Sequence, residues 1–161
     1  MNIRIDKLYN NPQYKDLVYN WIYAEWGNNN PHYWREWLES SVADEGIPIT
    51  YIIFDNEVVV GTFSLWRCDL QSRQDLFPWF GGFYIRQEYR GKFYNNIKLS
   101  YYVQNYALGQ LKSMGYSAVY LFSEKDASYY EKNGWKFFGE AYNEKDERVF
   151  LCLYDLDMLE V

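Results

Sequence analysis

A strand, a short basic turn and a long helix follow one another in residues 79–114, and this arrangement constrains the fold more than any other feature. Residues 79–85 read Trp-Phe-Gly-Gly-Phe-Tyr-Ile, an apolar strand whose glycine pair indicates a bulge or a close approach to the backbone. The turn at 86–92 carries Arg86, Arg90 and Lys92. Because the first amides of a helix lack partners within it and lie at the positive end of its dipole, the turn predicts an anion site suited to phosphate.

The remaining elements place this arrangement inside an α+β fold. Alternating apolar residues and β-rich runs predict strands, whereas apolar positions three and four apart predict helices. Strands are predicted at 3–8, 49–54, 58–66, 117–122, 135–139 and 148–156, and further helices at 14–26, 32–42 and 126–132. The order β α α β β β α β α β β predicts a mixed, mostly antiparallel sheet with one right-handed parallel crossover at its centre.

Composition excludes several classes of protein. A chain of 161 residues can bury a core of its own, so residues 1–161 are expected to form a single domain. The net charge of −6 argues against nucleic-acid binding, which needs a basic surface, and favours cationic small molecules. Cys68 and Cys152 form neither a metal motif nor a disulfide framework, and no leader or long apolar run is present. We therefore expect a cytoplasmic protein without a bound metal or membrane association.

Two motifs within this order resemble the GNAT superfamily of N-acetyltransferases. Residues 89–92, Tyr-Arg-Gly-Lys, open the central helix, and residues 129–135, Tyr-Tyr-Glu-Lys-Asn-Gly-Trp, follow the strand at 117–122. The resemblance covers nearly the whole chain, and residues 75–85 look like a bacterial branch with small-molecule or unassigned substrates. It implies a GNAT-like central sheet, mixed and mostly antiparallel, with helices on both faces.

The resemblance implies acetyl-CoA as a cosubstrate. In the family, the strand before the turn splays from its parallel neighbour and the pantetheine arm pairs with it as a pseudo-strand. This arm would meet the backbone of Phe83, Tyr84 and Ile85. The pyrophosphate lies on the turn and the first helical residues, which correspond here to Arg90, Gly91, Lys92, Phe93, Tyr94, Asn95 and Asn96.

The turn departs from the family pattern Arg-Gly-x-Gly-x-Gly. Its second and third glycines are replaced by Phe93 and Asn95. A side chain at these positions keeps the backbone donors but can crowd a diphosphate, because glycine allows the closest approach to the backbone. Two alternative hypotheses follow. One is a noncatalytic module on the same fold that binds acyl-CoA or a small ligand, and the other is an aromatic-lined interaction protein that binds no CoA.

Acyl transfer from a thioester to an amine needs a free amine, a stabilised oxyanion and a proton for the leaving thiolate. The resemblance implies Tyr130 as the proton donor and leaves Tyr129 as a core residue. A backbone amide of the bulged strand would stabilise the oxyanion. Glu124 is the first candidate for the general base, ahead of Asp75 and Glu88, and ordered water is the alternative to all three.

The acceptor is expected to be a primary amine of a small molecule. The family builds its acceptor pocket partly from the first two helices, and we expect the aromatic side chains of Trp26, Tyr33 and Trp79 near the acceptor. The last strand, at 148–156, is a candidate for pairing across a homodimer, because a terminal strand often lies at the edge of a sheet.

Overall fold

The computed structural model describes residues 1–160. These residues form, in chain order, β1 (Ile3–Lys7), α1 (Lys15–Trp26), α2 (Pro31–Glu39), β2 (Ile49–Asp55), β3 (Val58–Trp66), β4 (Trp79–Ile85), β5 (Phe93–Tyr94), β6 (Ile97–Lys98), α3 (Leu99–Ser113), β7 (Ala118–Ser123), α4 (Ser128–Glu131), β8 (Lys136–Tyr142) and β9 (Arg148–Asp155). Within this range, every helix is too short or too polar to cross a lipid bilayer.

Seven strands hydrogen-bond in the order β1-β2-β3-β4-β7-β9-β8, and β5 pairs with β6 in a separate hairpin. Strands β1 and β2, β2 and β3, β7 and β9, and β8 and β9 pair in antiparallel directions. Strands β4 and β7 are parallel and are joined through α3, which is the predicted crossover. The predicted α+β class with a mixed, mostly antiparallel sheet is confirmed, and the β5–β6 hairpin is the element that the prediction lacks.

The described residues group into two compact units, and β4 contributes residues to both. The first unit contains Met1–Leu65 and Gly82–Tyr102, and the second contains Trp66–Gly81 and the chain from Val103 onward. In the second unit, β4 pairs with β7 at Trp79 and Tyr120. In the first unit, the amide of Arg86, just after β4, donates a 2.8 Å hydrogen bond to the carbonyl of Val60 in β3.

The core of the first unit forms where α1 and α2 pack on the strands. Val18 and Ile22 of α1 and Leu38 of α2 are buried together with Ile52 and Phe54 of β2. Residues 18 and 22 are four apart on one helix, so they lie on the same face, and burying such a face is the main source of stability for a short helix in a protein.

In the second unit, β9 lies between β7 and β8. Its register runs from Val119 opposite Tyr154 on one side to Ala141 opposite Val149 on the other. Because both edges of β9 are hydrogen-bonded, this strand cannot offer an edge to a second copy of the chain. The last strand is therefore wrong as the candidate edge of a homodimer, and the homodimer itself stays a prediction.

Candidate active site

The glycine pair of β4 shows one of the two features that the sequence offers, the close approach to the backbone. Gly82 has a φ of +56°, a left-handed conformation that glycine adopts without steric cost. At Gly81, a Cβ atom would lie 2.6 Å from a carboxylate oxygen of Asp69 and 2.8 Å from the ring of Trp66. Neighbouring side chains therefore approach the backbone at Gly81, and the backbone of the strand turns left-handed at the next residue.

The second half of β4 directs alternate backbone groups towards β3 and away from it. The carbonyl oxygen of Tyr84 faces β3, where it lies 2.5 Å from the position that a Cβ of Gly61 would take. Because the direction alternates along a strand, Phe83 and Ile85 direct their backbone groups to the opposite edge. The Ile85 carbonyl accepts a 2.6 Å hydrogen bond from Nε of Arg90. Three residues were expected to meet the pantetheine arm. The backbone groups of Tyr84 face β3, whereas those of Phe83 and Ile85 face the opposite edge of β4.

The turn between β4 and α3 folds differently from the prediction. Strands β5 and β6 form a hairpin, and Asn95 and Asn96 connect them with φ values of +51° and +64°. Two successive left-handed residues form a type I′ turn, and asparagine tolerates this conformation better than other residues with a side chain. Helix α3 begins only at Leu99, whose amide donates a 2.8 Å hydrogen bond to the carbonyl of Lys92.

This hairpin changes what the turn can offer to a phosphate. Tyr94 pairs with Ile97, so the backbone groups of this pair are used inside the hairpin. Phe93, Tyr94, Asn95 and Asn96 are therefore not the first residues of the helix, and the correspondence drawn from the family pattern is wrong in this respect. The ring of Phe93 is 62% exposed and does not fill the protein interior.

Basic side chains surround the hairpin. Arg86 forms an ion pair with Glu88 at 2.5 Å, whereas Arg90 bonds the carbonyl of Ile85 as described. Lys92 and Lys98 each lie beside a tyrosine ring, with Nζ 5.2 and 5.5 Å from the ring centre. Gly91, with a φ of +77°, turns the chain between these groups, and a side chain there would be strained. The hairpin thus brings two lysines to the N-terminal end of α3, where positive charge favours an anion.

Aromatic side chains of α1 and α2 lie in the same unit. The ring of Trp21 stacks on that of Tyr84 with centroids 4.9 Å apart. Of the predicted acceptor contacts, Trp26 ends α1 and is half-buried, and Tyr33 is 50% exposed on α2. The ring of Tyr33 lies edge to face against Trp34 at 5.6 Å. The side chains of Trp26 and Tyr33 both reach solvent, and their contact with an acceptor stays a prediction.

Trp79, the third predicted acceptor contact, is a core residue. Its side chain is completely buried, and its indole N–H donates a 2.7 Å hydrogen bond to the carbonyl of Leu76. Its ring packs against Tyr120 and Phe122 with centroids 6.2 and 6.3 Å away. Since no part of this indole reaches solvent, the prediction that Trp79 contacts the acceptor is wrong.

Tyr130 lies in α4, where it is more enclosed than Tyr129. The two rings meet edge to face at 5.2 Å, and Tyr130 packs in the same way against Trp135 at 6.3 Å. Burial raises the pKa of Tyr130 to about 12, so the phenol keeps its proton at neutral pH. Tyr129 is 37% exposed, so the expectation that it is a core residue is wrong.

A buried amide holds the segment after α4. Gln104 of α3 is completely buried, and its Oε1 accepts 3.0 Å hydrogen bonds from Nδ2 of Asn133 and Nε1 of Trp135. Gly134, between these residues, has a φ of +91°. The carbonyl of Tyr130 accepts a 2.9 Å hydrogen bond from the amide of Asn133. Polar contacts to α3 therefore fix the residues that follow Tyr130.

The predicted bases differ in their surroundings. Asp75 is exposed and bonds the guanidinium of Arg73 at 3.0 and 2.9 Å, which lowers the pKa of this carboxyl. Hydrogen bonding to the backbone and the charge of Arg86 lower the pKa of Glu88 in the same direction. A lowered pKa makes a carboxylate a weaker proton acceptor. Glu124 is exposed just beyond β7, and its role stays a prediction.

One carboxylate beside Gly81 is not among the predicted site residues. Asp69 lies against Gly81, and burial raises the pKa of its carboxyl group to about 7. No motif marks this position, because Asp69 is one of several polar residues in the loop between β3 and β4. Gly81, which packs against Asp69, is the only signal in the sequence, and a glycine does not indicate which residue will lie beside it.

Comparison with known proteins gives matches among solved structures. No family model matches the sequence, and no curated protein matches it. An aminoglycoside 6′-N-acetyltransferase complexed with coenzyme A is 17% identical over 98% of this chain and 99% of its own, with a TM-score of 0.70. The aminoglycoside 6′-N-acetyltransferase from Enterococcus faecium is 16% identical over 100% of both chains, with a TM-score of 0.68.

A third structure carries the family name. The acetyltransferase of the GNAT family from Streptococcus pneumoniae is 18% identical over 96% of this chain and 99% of its own, with a TM-score of 0.63. At this low sequence identity the comparison shows similarity of fold, and the similarity covers almost the entire chain. This protein therefore has the fold of the GNAT acetyltransferases.

Proposed function

We propose that the protein is an acetyl-CoA-dependent N-acetyltransferase that acts by direct attack of a primary amine of a small molecule on the thioester. The observation that carries this proposal is the backbone of β4, in which Gly82 is left-handed and the carbonyl of Tyr84 faces β3. By the alternation along a strand, Phe83 and Ile85 then direct their backbone groups to the edge opposite β3. An extended ligand arm with amide groups is suited to such an edge. The likeness to acetyltransferases, one of them complexed with coenzyme A, supports the choice of ligand.

The donor set around the β5–β6 hairpin suits a phosphorylated ligand. Lys92 is exposed, and Lys98 directly precedes α3, so both supply positive charge near the N-terminus of this helix. Arg90 supports the site indirectly, because its bond to the Ile85 carbonyl fixes the end of β4 relative to the turn. Phosphate binding would then rest on lysine side chains more than on an amide cradle.

Tyr130 is proposed to protonate the leaving thiolate. A phenol held protonated by burial can donate a hydrogen bond to the sulfur and release its proton as charge develops there. The packing of Trp135 and the bonds from Asn133 and Trp135 to Gln104 hold this part of the chain in one conformation. Acetyl-CoA, when bound, supplies the activated acetyl group.

The proposed acceptor is a cationic amine. The chain carries a net charge of −6, which favours the approach of positively charged molecules over anionic ones. Trp26 and Tyr33 offer aromatic surface, and aromatic rings attract ammonium groups through cation–π interactions. Aminoglycosides, which two of the similar structures are named for, belong to this chemical class.

A second candidate function is a noncatalytic module that binds acyl-CoA or another small ligand. The hairpin favours it, because the backbone of Tyr94 and Ile97 is paired within the protein instead of forming a glycine-lined cradle. Such a module would bind acetyl-CoA without turnover.

Two measurements distinguish these functions. Calorimetric titration with acetyl-CoA measures binding, and release of free CoA thiol with a panel of primary amines measures transfer. We expect binding together with thiol release on at least one cationic amine. Binding without thiol release on any amine would support the module, and no heat with acetyl-CoA or CoA would reject both.

A further inference from the structure

The carboxylate of Asp69 occupies a position that only a glycine at residue 81 permits. A Cβ at Gly81 would lie 2.6 Å from Oδ2 of Asp69, which is closer than real Cβ atoms approach other heavy atoms. The ring of Trp66, at 2.8 Å from the same point, covers the strand beside this carboxylate. Asp69 itself is half-buried, so it keeps partial access to solvent. The carboxylate therefore lies against β4 at Gly81, next to the left-handed Gly82.

The groups around Asp69 oppose its negative charge. Burial is the first cause that raises the pKa of the carboxyl to about 7, and the charge of Glu144, on the turn between β8 and β9, is the second. The adjacent thiol of Cys68 has its own pKa raised by burial and by Asp69.

We propose that Asp69 is the general base of the transfer reaction, which accepts a proton from the ammonium group of the acceptor beside Gly81 of β4. This inference rests on the proposed function and assigns a residue to the step for which Asp75, Glu88 and Glu124 were the predicted candidates. Asp75 and Glu88 are ion-paired at the surface, and Glu124 is exposed beyond β7. Among these carboxylates, Asp69 is the one that packs against β4.

The step is balanced as follows. Asp69 takes one proton from R–NH₃⁺, and the nitrogen lone pair of R–NH₂ attacks the carbonyl carbon, so that a C–N bond forms. As the C–S bond breaks, the sulfur receives a proton from Tyr130. The nitrogen's surplus proton restores the Tyr130 phenol, and Asp69 releases its proton to solvent. The products are the amide, free CoA thiol and one proton.

The test is the pH dependence of kcat/KM for the acceptor, measured by thiol release. For the wild type, kcat/KM should fall as the pH decreases through about 7, because Asp69 becomes protonated. Asp69→Asn should lower kcat/KM at pH 8 by about a hundredfold, abolish this acidic limb and leave acetyl-CoA affinity unchanged. Asp146→Asn, which removes an exposed carboxylate from the same turn as Glu144, is the matched control and should behave as the wild type.

Glu144→Gln provides a test that a merely structural role of Asp69 would not affect. Removing this negative charge favours the ionised form of Asp69, so the acidic limb should move to lower pH while the rate at pH 8 is kept. Turnover by Asp69→Asn close to that of the wild type would overturn the assignment. An acidic limb that stays in place in Glu144→Gln would overturn it as well, even if Asp69→Asn did not fold.

The outcomes also separate this inference from the proposed function. If the wild type turns over normally but the Asp69 tests fail, the proposed transferase function stands and only the identity of the general base is rejected. Absence of wild-type turnover on every amine tested rejects the transferase, and the role of Asp69 with it.

Discussion

The two motifs that resemble the acetyltransferase family behave differently in the structure. The basic turn at residues 89–92 leads into a β-hairpin that delays α3 to Leu99. The motif at 129–135 instead folds as its sequence implies, with α4, a left-handed Gly134 and then β8. The motif at 89–92 is thus altered, because the backbone after it differs from the predicted one, whereas the motif at 129–135 is kept, because its backbone is as predicted.

The reason for the difference is the kind of interaction on which each motif depends. A phosphate cradle depends on backbone conformation, which two asparagines are enough to redirect into a type I′ turn. The segment after Tyr130 depends on packing against Trp135 and on the buried bonds of Gln104, which tolerate changes in exposed neighbours. Side-chain motifs embedded in a core are therefore safer guides to structure than glycine patterns in an exposed turn.

Among changes within the two motifs, the largest effect is expected in the motif at 129–135. Tyr130→Phe keeps the ring that packs on Trp135 but removes the proposed proton donor, so turnover should fall by at least about tenfold with little change in acetyl-CoA affinity. Thiol release and calorimetry measure the two quantities. Tyr129→Phe is the matched control on the neighbouring, exposed ring, and an equal loss in both variants would contradict the distinction between them.

A second prediction tests how the kept motif is held. Gln104→Leu removes the acceptor for Asn133 and Trp135 and leaves their donors without it, so the free energy of unfolding should fall by about 1–3 kcal/mol. Urea unfolding followed by tryptophan fluorescence measures this change. Gln110→Leu, at a half-buried position of the same helix, should change stability much less. Equal stability of both variants would show that the buried amide contributes nothing.

A third prediction concerns the altered turn. Lys92→Ala should weaken acetyl-CoA binding by on the order of 1 kcal/mol, which is about fivefold in Kd, because an exposed charge contributes modestly. The loss should shrink at high salt, where screening removes the charge effect. Calorimetry at two salt concentrations measures it, with Lys136→Ala on β8 as the control. Unchanged affinity in Lys92→Ala would indicate that backbone amides, and not this lysine, bind the phosphate.

The smallest expected effect sharpens the description of the hairpin. Asn96→Gly relieves a left-handed residue at φ +64°, so stability should rise by about 0.5 kcal/mol. Asn96→Ala should instead lower stability by about 1 kcal/mol, because alanine cannot form the local hydrogen bonds that help asparagine there. Chemical unfolding compares both with the wild type, and an alanine variant more stable than the glycine variant would exclude the type I′ turn.

Much of the fold follows from the sequence because hydrophobic periodicity and turn residues act locally. The helices, most strands and the unusual backbone at the glycine pair of β4 were predictable on that basis. The pairing of Phe93–Tyr94 with Ile97–Lys98 was predictable in principle, since two asparagines between β-forming residues indicate a hairpin, but the family pattern argued for a helix.

The candidate site was less predictable because it depends on contacts between distant residues. The burial of Trp79 under Tyr120 and Phe122 brings together residues more than 40 positions apart, which composition does not reveal. The pKa of Asp69 depends in the same way on burial and on Glu144. Such environments arise only when the tertiary structure forms.

The division of the chain into interleaved segments bears on its biosynthesis. The polypeptide passes from one compact unit to the other after Leu65, after Gly81 and after Tyr102, so no single cut separates the two units from each other. During translation, every residue of the first unit has been made once Tyr102 is added, whereas the second still lacks β7, β9 and β8. The nascent chain can thus assemble its first unit before the segment that carries Tyr130 exists.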